Sequence, residues 1–131
     1  MPHRAMLKGK NVLIVEDDFV YRTFLVTLLR KTGAVCTISA DSESAKTKLT
    51  AGHYDILILD YLLPGHNAME IVKWLRERHS VTPILIVTAY LSDELMKRCK
   101  EEKNVAVISK SDITTENFLP TLADTVNRMI A

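Results

Sequence analysis

Cysteine is scarce in these 131 residues, with only Cys36 and Cys99, far apart and with neither a CxxC spacing nor a flanking His. That excludes a cysteine metal site and a disulfide framework, and leaves two residues that read as small buried hydrophobes. Four Gly and four Pro are too few for a collagen-like or low-complexity chain. Excess charge is missing too: 17 Lys plus Arg stand against 16 Asp plus Glu, a formal +1. No net field would hold the protein on DNA, RNA or an anionic membrane, so a direct nucleic-acid ligand is not expected. The longest apolar runs, such as Ile56–Leu59 and Val81–Val87, fall far short of the ~20 residues a membrane span needs. Met1–Lys10 carries Arg4, Lys8 and Lys10 and leads straight into Val12–Val15. Without a long apolar segment and a small-residue cleavage site it is not a secretory signal, and a soluble, cytoplasmic protein is expected.

What is present is ordinary globular material, 47% hydrophobic and 25% charged, in a length that suits one domain of about 100–200 residues. Val12–Val15 is a continuous β-branched and aliphatic run, and continuous apolarity means a strand buried on both faces, as in a parallel sheet. Val35–Ile38, Ile56–Leu59, Ile84–Val87 and Val105–Ile108 repeat the pattern. Between and after them apolar residues recur at helical spacing: Tyr21, Phe24, Leu25, Leu28 and Leu29; Ala68, Ile71, Val72 and Leu75; Leu91, Leu95 and Cys99; Phe118, Leu122, Val126 and Met129. A weaker helix over Ser42–Ala51 rests on Ala45 and Leu49. Five strands alternating with five helices give a three-layer α/β sandwich with right-handed crossovers. Gly33 is expected to cap the first helix at its C-terminus and Asn67 the third at its N-terminus. Pro120 is tolerated only in a first turn, so the last helix should begin near Asn117, with Thr114 and Thr115 in the loop.

Open parallel sheets bind ligands outside the carboxyl ends of their strands. Glu16, Asp17 and Asp18 follow the first strand, Asp60 the third, Thr88 the fourth, and Ser109 and Lys110 the fifth, whereas the second ends in Ser39. Carboxylates gathered at one edge repel unless a cation sits among them. Lys110 supplies one positive charge, and a hard divalent ion with oxygen ligands supplies the rest. The acids have no His or Cys beside them, so Mg2+ or Mn2+ fits better than Zn2+. An aspartate in that setting is a competent nucleophile toward a phosphoryl donor, giving an acyl phosphate. Lys110 and Thr88 could each hold a phosphoryl oxygen.

The stretches VLIVEDD (12–18), DILILDYLLPG (55–65), PILIVTAY (83–90) and VISK (107–110) resemble the receiver domain of two-component response regulators. The resemblance runs from about residue 10 to 129, so residues 1–131 read as one receiver domain. It implies a flavodoxin-like fold, (βα)5 with strand order 2-1-3-4-5. It makes Asp60 the phosphoacceptor and Glu16 and Asp17 the acidic pair. Asp17 and the Leu62 carbonyl would be direct Mg2+ ligands, with Glu16 acting mostly through water. Thr88 matches the switch hydroxyl and Lys110 the phosphate-binding lysine, while Asp18 is left to cap the first helix. The implied partners are a sensor histidine kinase or phosphotransfer protein, and a downstream protein or output domain. A homodimer through the fourth helix, fifth strand and fifth helix is a further form of partner. Such a domain is no enzyme beyond its own phosphorylation and dephosphorylation.

The sequence departs from that family in four places. Val107 stands where an aromatic switch residue is usual, and Ser111 replaces a cis-proline. Ala68 and the Glu102-Lys103-Asn104 segment replace glycines. Leu62 and Tyr90 are expected to cover the line of water attack on the acyl phosphate.

Other functions compete. A receiver that only scaffolds protein interactions is kept open by Val107. An aspartate-nucleophile phosphatase would need a second acid two residues past its nucleophile, where this chain has Leu62. A flavin or nucleotide binder would need a Gly-rich cradle in turns that instead carry acids and Leu. His3, His53, His66 and His79 show no metal spacing and read as surface residues. Met69 and Trp74 could serve a partner surface or helix packing.

Overall fold

The computed structural model describes residues 6–130; Arg4 and the expected surface residue His3 lie outside them. Five parallel strands, β1 (Asn11–Val15), β2 (Val35–Ser39), β3 (Ile56–Asp60), β6 (Ile84–Thr88) and β7 (Val105–Ser109), form one sheet in the order β2-β1-β3-β6-β7. This is the expected order, renumbered because a short antiparallel pair, β4 (Leu62–Leu63) and β5 (His66–Asn67), intervenes in the chain. The helices are α1 (Phe19–Arg30), α2 (Ser42–Ala51), α3 (Ala68–Glu77), α4 (Asp93–Lys100) and α5 (Phe118–Ile130).

Side-chain alternation along the buried strands sorts the core into two halves. Val12, Ile14, Ile56, Ile58, Leu85 and Val87 face α1 and α5, meeting Leu25, Leu29, Phe118 and Leu122. Leu13, Val15, Leu57, Leu59, Ile84 and Ile86 face the other way, onto Ala45 of α2, Ile71, Val72 and Leu75 of α3, and Leu95 and Cys99 of α4. Each such aliphatic side chain, wholly removed from water, contributes about 1.5–3 kcal/mol. The edge strands β2 and β7 are covered less completely. Cys99 is buried as expected, while Cys36, on edge strand β2, is only half-buried. Met69 is buried and Trp74 is half-buried against the second half of the core, with Lys46 and Arg78 over its ring. Both therefore serve helix packing. His53 and His79 are exposed, and His66 is half-exposed beside Glu70.

Helix starts follow their caps. Asp18 accepts from the Val20 N–H, and Asn67 forms a reciprocal capping box with Glu70. The fourth helix begins at Asp93, later than Leu91, because the Ser92 hydroxyl accepts from Leu95 N–H and sets the cap there. Pro120 falls in the first turn of α5, as its missing N–H demands. Gly33 is not the C-cap of α1, a role taken by Lys31 in the right-handed region. Gly33 sits two residues on with φ +84°, where a Cβ would stand 2.9 Å from the Lys8 Cα, so close backbone approach is what requires glycine here.

The β4–β5 hairpin was not legible as strands. Pro64 followed by Gly65 at φ +75° is the combination a type II turn uses, and it pairs Leu63 with His66. Asn104, in place of a glycine, takes φ 59°, a conformation Asn tolerates better than most residues. The described residues contain no cis peptide bond. After Ser109 the chain instead makes a short 3-10 turn over Lys110–Asp112.

Candidate functional site

The carboxyl ends of β1, β3 and β7 bring four of the expected residues together. Glu16, directly after β1, is 1% exposed, and Asp60, the last residue of β3, is 8% exposed. Asp17 is exposed at the rim. One carboxylate oxygen from each of these acids lies within 4.8 Å of the others. Lys110 follows β7 and reaches inward, its Nζ donating to Glu16 Oε2 at 3.0 Å and standing 3.4 Å from Asp60 Oδ1.

Glu16 is held from both sides: Oε1 accepts from the Asp18 N–H (3.2 Å), and its backbone carbonyl accepts from Arg22 (3.2 Å). The electrostatics follow from burial. Desolvation raises the pKa of Glu16 above the usual carboxylate range, only partly countered by the Lys110 hydrogen bond, and the charge of Asp60 raises it further. Desolvation likewise raises Asp60, against the pull of Lys110. For Lys110, burial alone would lower the pKa. The hydrogen bond to Glu16 and the charges of Asp60 and Glu16 outweigh it, leaving the ammonium raised and firmly charged. One ammonium thus serves the two buried carboxylates, with a third, Asp17, close by. The two buried acids still disfavour their own ionisation, and a second, hard cation among oxygen ligands is the chemistry that would relieve them.

Thr88 ends β6, beside β3, and is buried. Its hydroxyl is engaged with its own loop, donating to the Tyr90 carbonyl and accepting from the Tyr90 N–H, both at 3.2 Å. No hydrogen bond joins it to the acids. Leu62, which opens β4, is 65% exposed, and Tyr90 is 84% exposed. Both side chains therefore stand largely in water. Asp18 does cap α1.

Sequence reasoning missed Tyr21 as part of the site, reading it only as a packing residue of α1. Its ring centroid lies 4.4 Å from Lys110 Nζ. Burial, then the charges of Glu16 and Asp60, push its phenol up to about 12. The available signal was its place in the first turn of α1, four residues past Asp17, which brings it to the same end of the sheet.

Comparison with known proteins agrees with this fold. The model of the response regulator receiver domain matches residues 12–119. The sensory/regulatory protein RpfC of Xanthomonas campestris is 27% identical over 126 residues, 93% of this chain and 17% of that protein. The sensory transduction protein RegX3 of Mycolicibacterium smegmatis is 42% identical over 79 residues, 60% of this chain and 34% of that protein. The chain thus spans only a minor part of the curated relatives it matches. Among solved structures, the chemotaxis response regulator CheY4 of Vibrio cholerae superimposes with a TM-score of 0.77 at 27% identity, over 88% of this chain and 98% of that one.

Proposed function

The chain belongs to the response regulator receiver domain family, and from that membership we propose that Asp60 accepts a phosphoryl group from a phosphohistidine on a sensor kinase or phosphotransfer protein. The observation that carries the proposal is the juxtaposition of Asp60 with Lys110 at 3.4 Å, amid two further carboxylates. An Asp60 carboxylate oxygen attacks phosphorus and forms the O–P bond. The P–N bond breaks, and its electron pair leaves with the imidazole. Lys110 turns from the carboxylates toward a phosphoryl oxygen, and Thr88 releases Tyr90 to donate to another. Glu16, Asp17, Asp60 and the Leu62 carbonyl would hold Mg2+ or Mn2+, which when bound supplies positive charge against the crowded oxygens.

In this reading residues 10–129 form a single receiver core that catalyses only its own phosphorylation and dephosphorylation. It acts in the cytoplasm; no helix among the described residues is long and apolar enough to cross a membrane. The signal leaves through α4, β7 and α5 to a downstream protein, an output domain or a second copy. A scaffold independent of phosphorylation is the second reading, favoured by the aliphatic Val107 on β7. The deciding measurement is intact mass after incubation with Mg2+ and phosphoramidate. One labile phosphoryl group is expected, and none with a chelator; an unchanged mass with Mg2+ favours the scaffold.

Two expectations attach to single positions. Asp17→Asn weakens Mg2+ binding by roughly tenfold or more, since even partners outside the direct ligand shell are worth ~10–100-fold. Asp18→Asn, which alters only a cap, leaves affinity near wild type. NMR titration with Mg2+ separates them, and a larger effect at Asp18 would shift the acidic register by one. Hydrolysis is the second matter. Leu62 and Tyr90 carry neither acid nor amide to orient a water, so the doubly substituted Leu62→Asn, Tyr90→Glu protein should lose its phosphoryl group faster after donor removal. Equal decay would show that these positions do not govern lifetime.

A further inference from the structure

We propose that Tyr21 is a positioning residue for Lys110: the face of its ring holds the ammonium at the acidic cluster, so that the lysine is already in place when phosphoryl transfer begins. The inference rests on the reading of Asp60 as phosphoacceptor and adds a residue from α1 to that site.

The geometry is specific. Lys110 Nζ has one face toward Glu16 Oε2 at 3.0 Å and Asp60 Oδ1 at 3.4 Å. Another lies 4.4 Å from the centroid of the Tyr21 ring. The ring is itself fixed, half-buried on the α1 side of the core and tilted against Phe24 with centroids 5.6 Å apart. A lysine side chain has four rotatable bonds and a strong preference for water, and that of Lys110 is 21% exposed. On the α1 side, the ring of Tyr21 is the group placed against the ammonium. There the cation rests on the negative face of an aromatic, an attraction that strengthens as water is excluded. The ring also stays in place when Lys110 exchanges carboxylates for a phosphoryl oxygen, because the ring face does not compete with either partner.

The Tyr21 hydroxyl is buried and has no hydrogen-bond partner, so the ring and not the hydroxyl performs this role. That separates two substitutions. Tyr21→Phe keeps the π face and removes only an unpaired polar atom. Tyr21→Met keeps most of the volume and loses the π face.

The test measures initial phosphorylation rates with phosphoramidate at saturating Mg2+, together with Mg2+ affinity and the NMR shifts of the Lys110 ε-methylene protons. Tyr21→Met is expected to slow the maximal rate roughly fivefold with Mg2+ affinity unchanged, and to abolish the upfield ring-current shift of those protons. Tyr21→Phe should restore both rate and shift. Wild-type rate in Tyr21→Met, or a Tyr21→Phe protein as slow as Tyr21→Met, would overturn the proposal. If wild type itself takes no phosphate, the phosphoacceptor reading fails. The ring-current arm then decides the placement of Lys110 on its own: loss in Tyr21→Met with retention in Tyr21→Phe supports it, and an unshifted wild-type signal refutes it.

Discussion

Asp60→Asn protein incubated with Mg2+ and a small phosphodonor is expected to keep its original mass, while wild type gains one phosphoryl group labile to acid or alkali. The substitution is nearly isosteric, so the packing at the end of β3 survives, but an amide oxygen has neither the charge nor the basicity to attack phosphorus. Other acids are close enough to make this a real test. Glu16 is already committed, with Oε1 on the Asp18 N–H and Oε2 on Lys110. Asp17 is exposed and in this reading holds the metal. Asp60 combines burial with an ammonium at 3.4 Å. A phosphoryl gain in Asp60→Asn equal to wild type would transfer the nucleophile to one of its neighbours and sink the assignment.

The second large effect is on stability. Lys110→Met should destabilise the metal-free protein by about 2–3 kcal/mol at neutral pH, somewhat below the ~3–5 kcal/mol for breaking a sealed ion pair. The discount reflects partial exposure, 21% for the lysine side chain against 1% for Glu16. Most of the cost comes from the two carboxylates left behind, which a double substitution makes visible. Adding Asp60→Asn to Lys110→Met should recover part of the loss, a coupling that independent sites would not show.

The pH dependence has a definite sign. Glu16 and Asp60 have raised pKa values in the fold. From the ordinary carboxylate range up to those raised values the folded protein therefore binds more protons than the unfolded chain, and their contribution to stability falls as pH rises. Lys110 is also raised, so its contribution is complete below the ordinary lysine pKa and constant across the neutral range. Removing it pushes both acids higher still. The deficit of Lys110→Met should thus shrink toward acidic pH and narrow on adding Mg2+. Urea unfolding at several pH values measures it, and a deficit independent of pH would mean that Lys110 contributes through packing alone.

Much of this architecture is legible in the chain because its determinants are local. Continuous aliphatic runs mark strands buried on both faces, and β1, β3 and β6 are those strands. Asn67 marks the start of α3, and the bounds of α2 coincide with Ser42–Ala51. The collection of Glu16, Asp17, Asp60 and Lys110 at one edge follows from strand direction, since every parallel strand delivers its next residue to the same side.

What tertiary structure decided is which of those residues touch. Neighbouring strands lie ~4.8 Å apart, and β7 is separated from β1 by β3 and β6. Only a side chain as long as Lys110 can cross toward Glu16, and no local pattern says whether it will. Thr88 shows the reverse outcome: it arrives at the right edge, yet its hydroxyl pairs with the backbone of Tyr90, a nearby partner that needs no other element. Tyr21 was assigned by periodicity to the core face of α1, and that is correct as far as it goes. Its ring meets Lys110 only because α1 and the end of β7 converge on one side of the sheet. The periodicity of a helix says which face is buried, but the identity of the group buried against it is set by a chain segment almost ninety residues away.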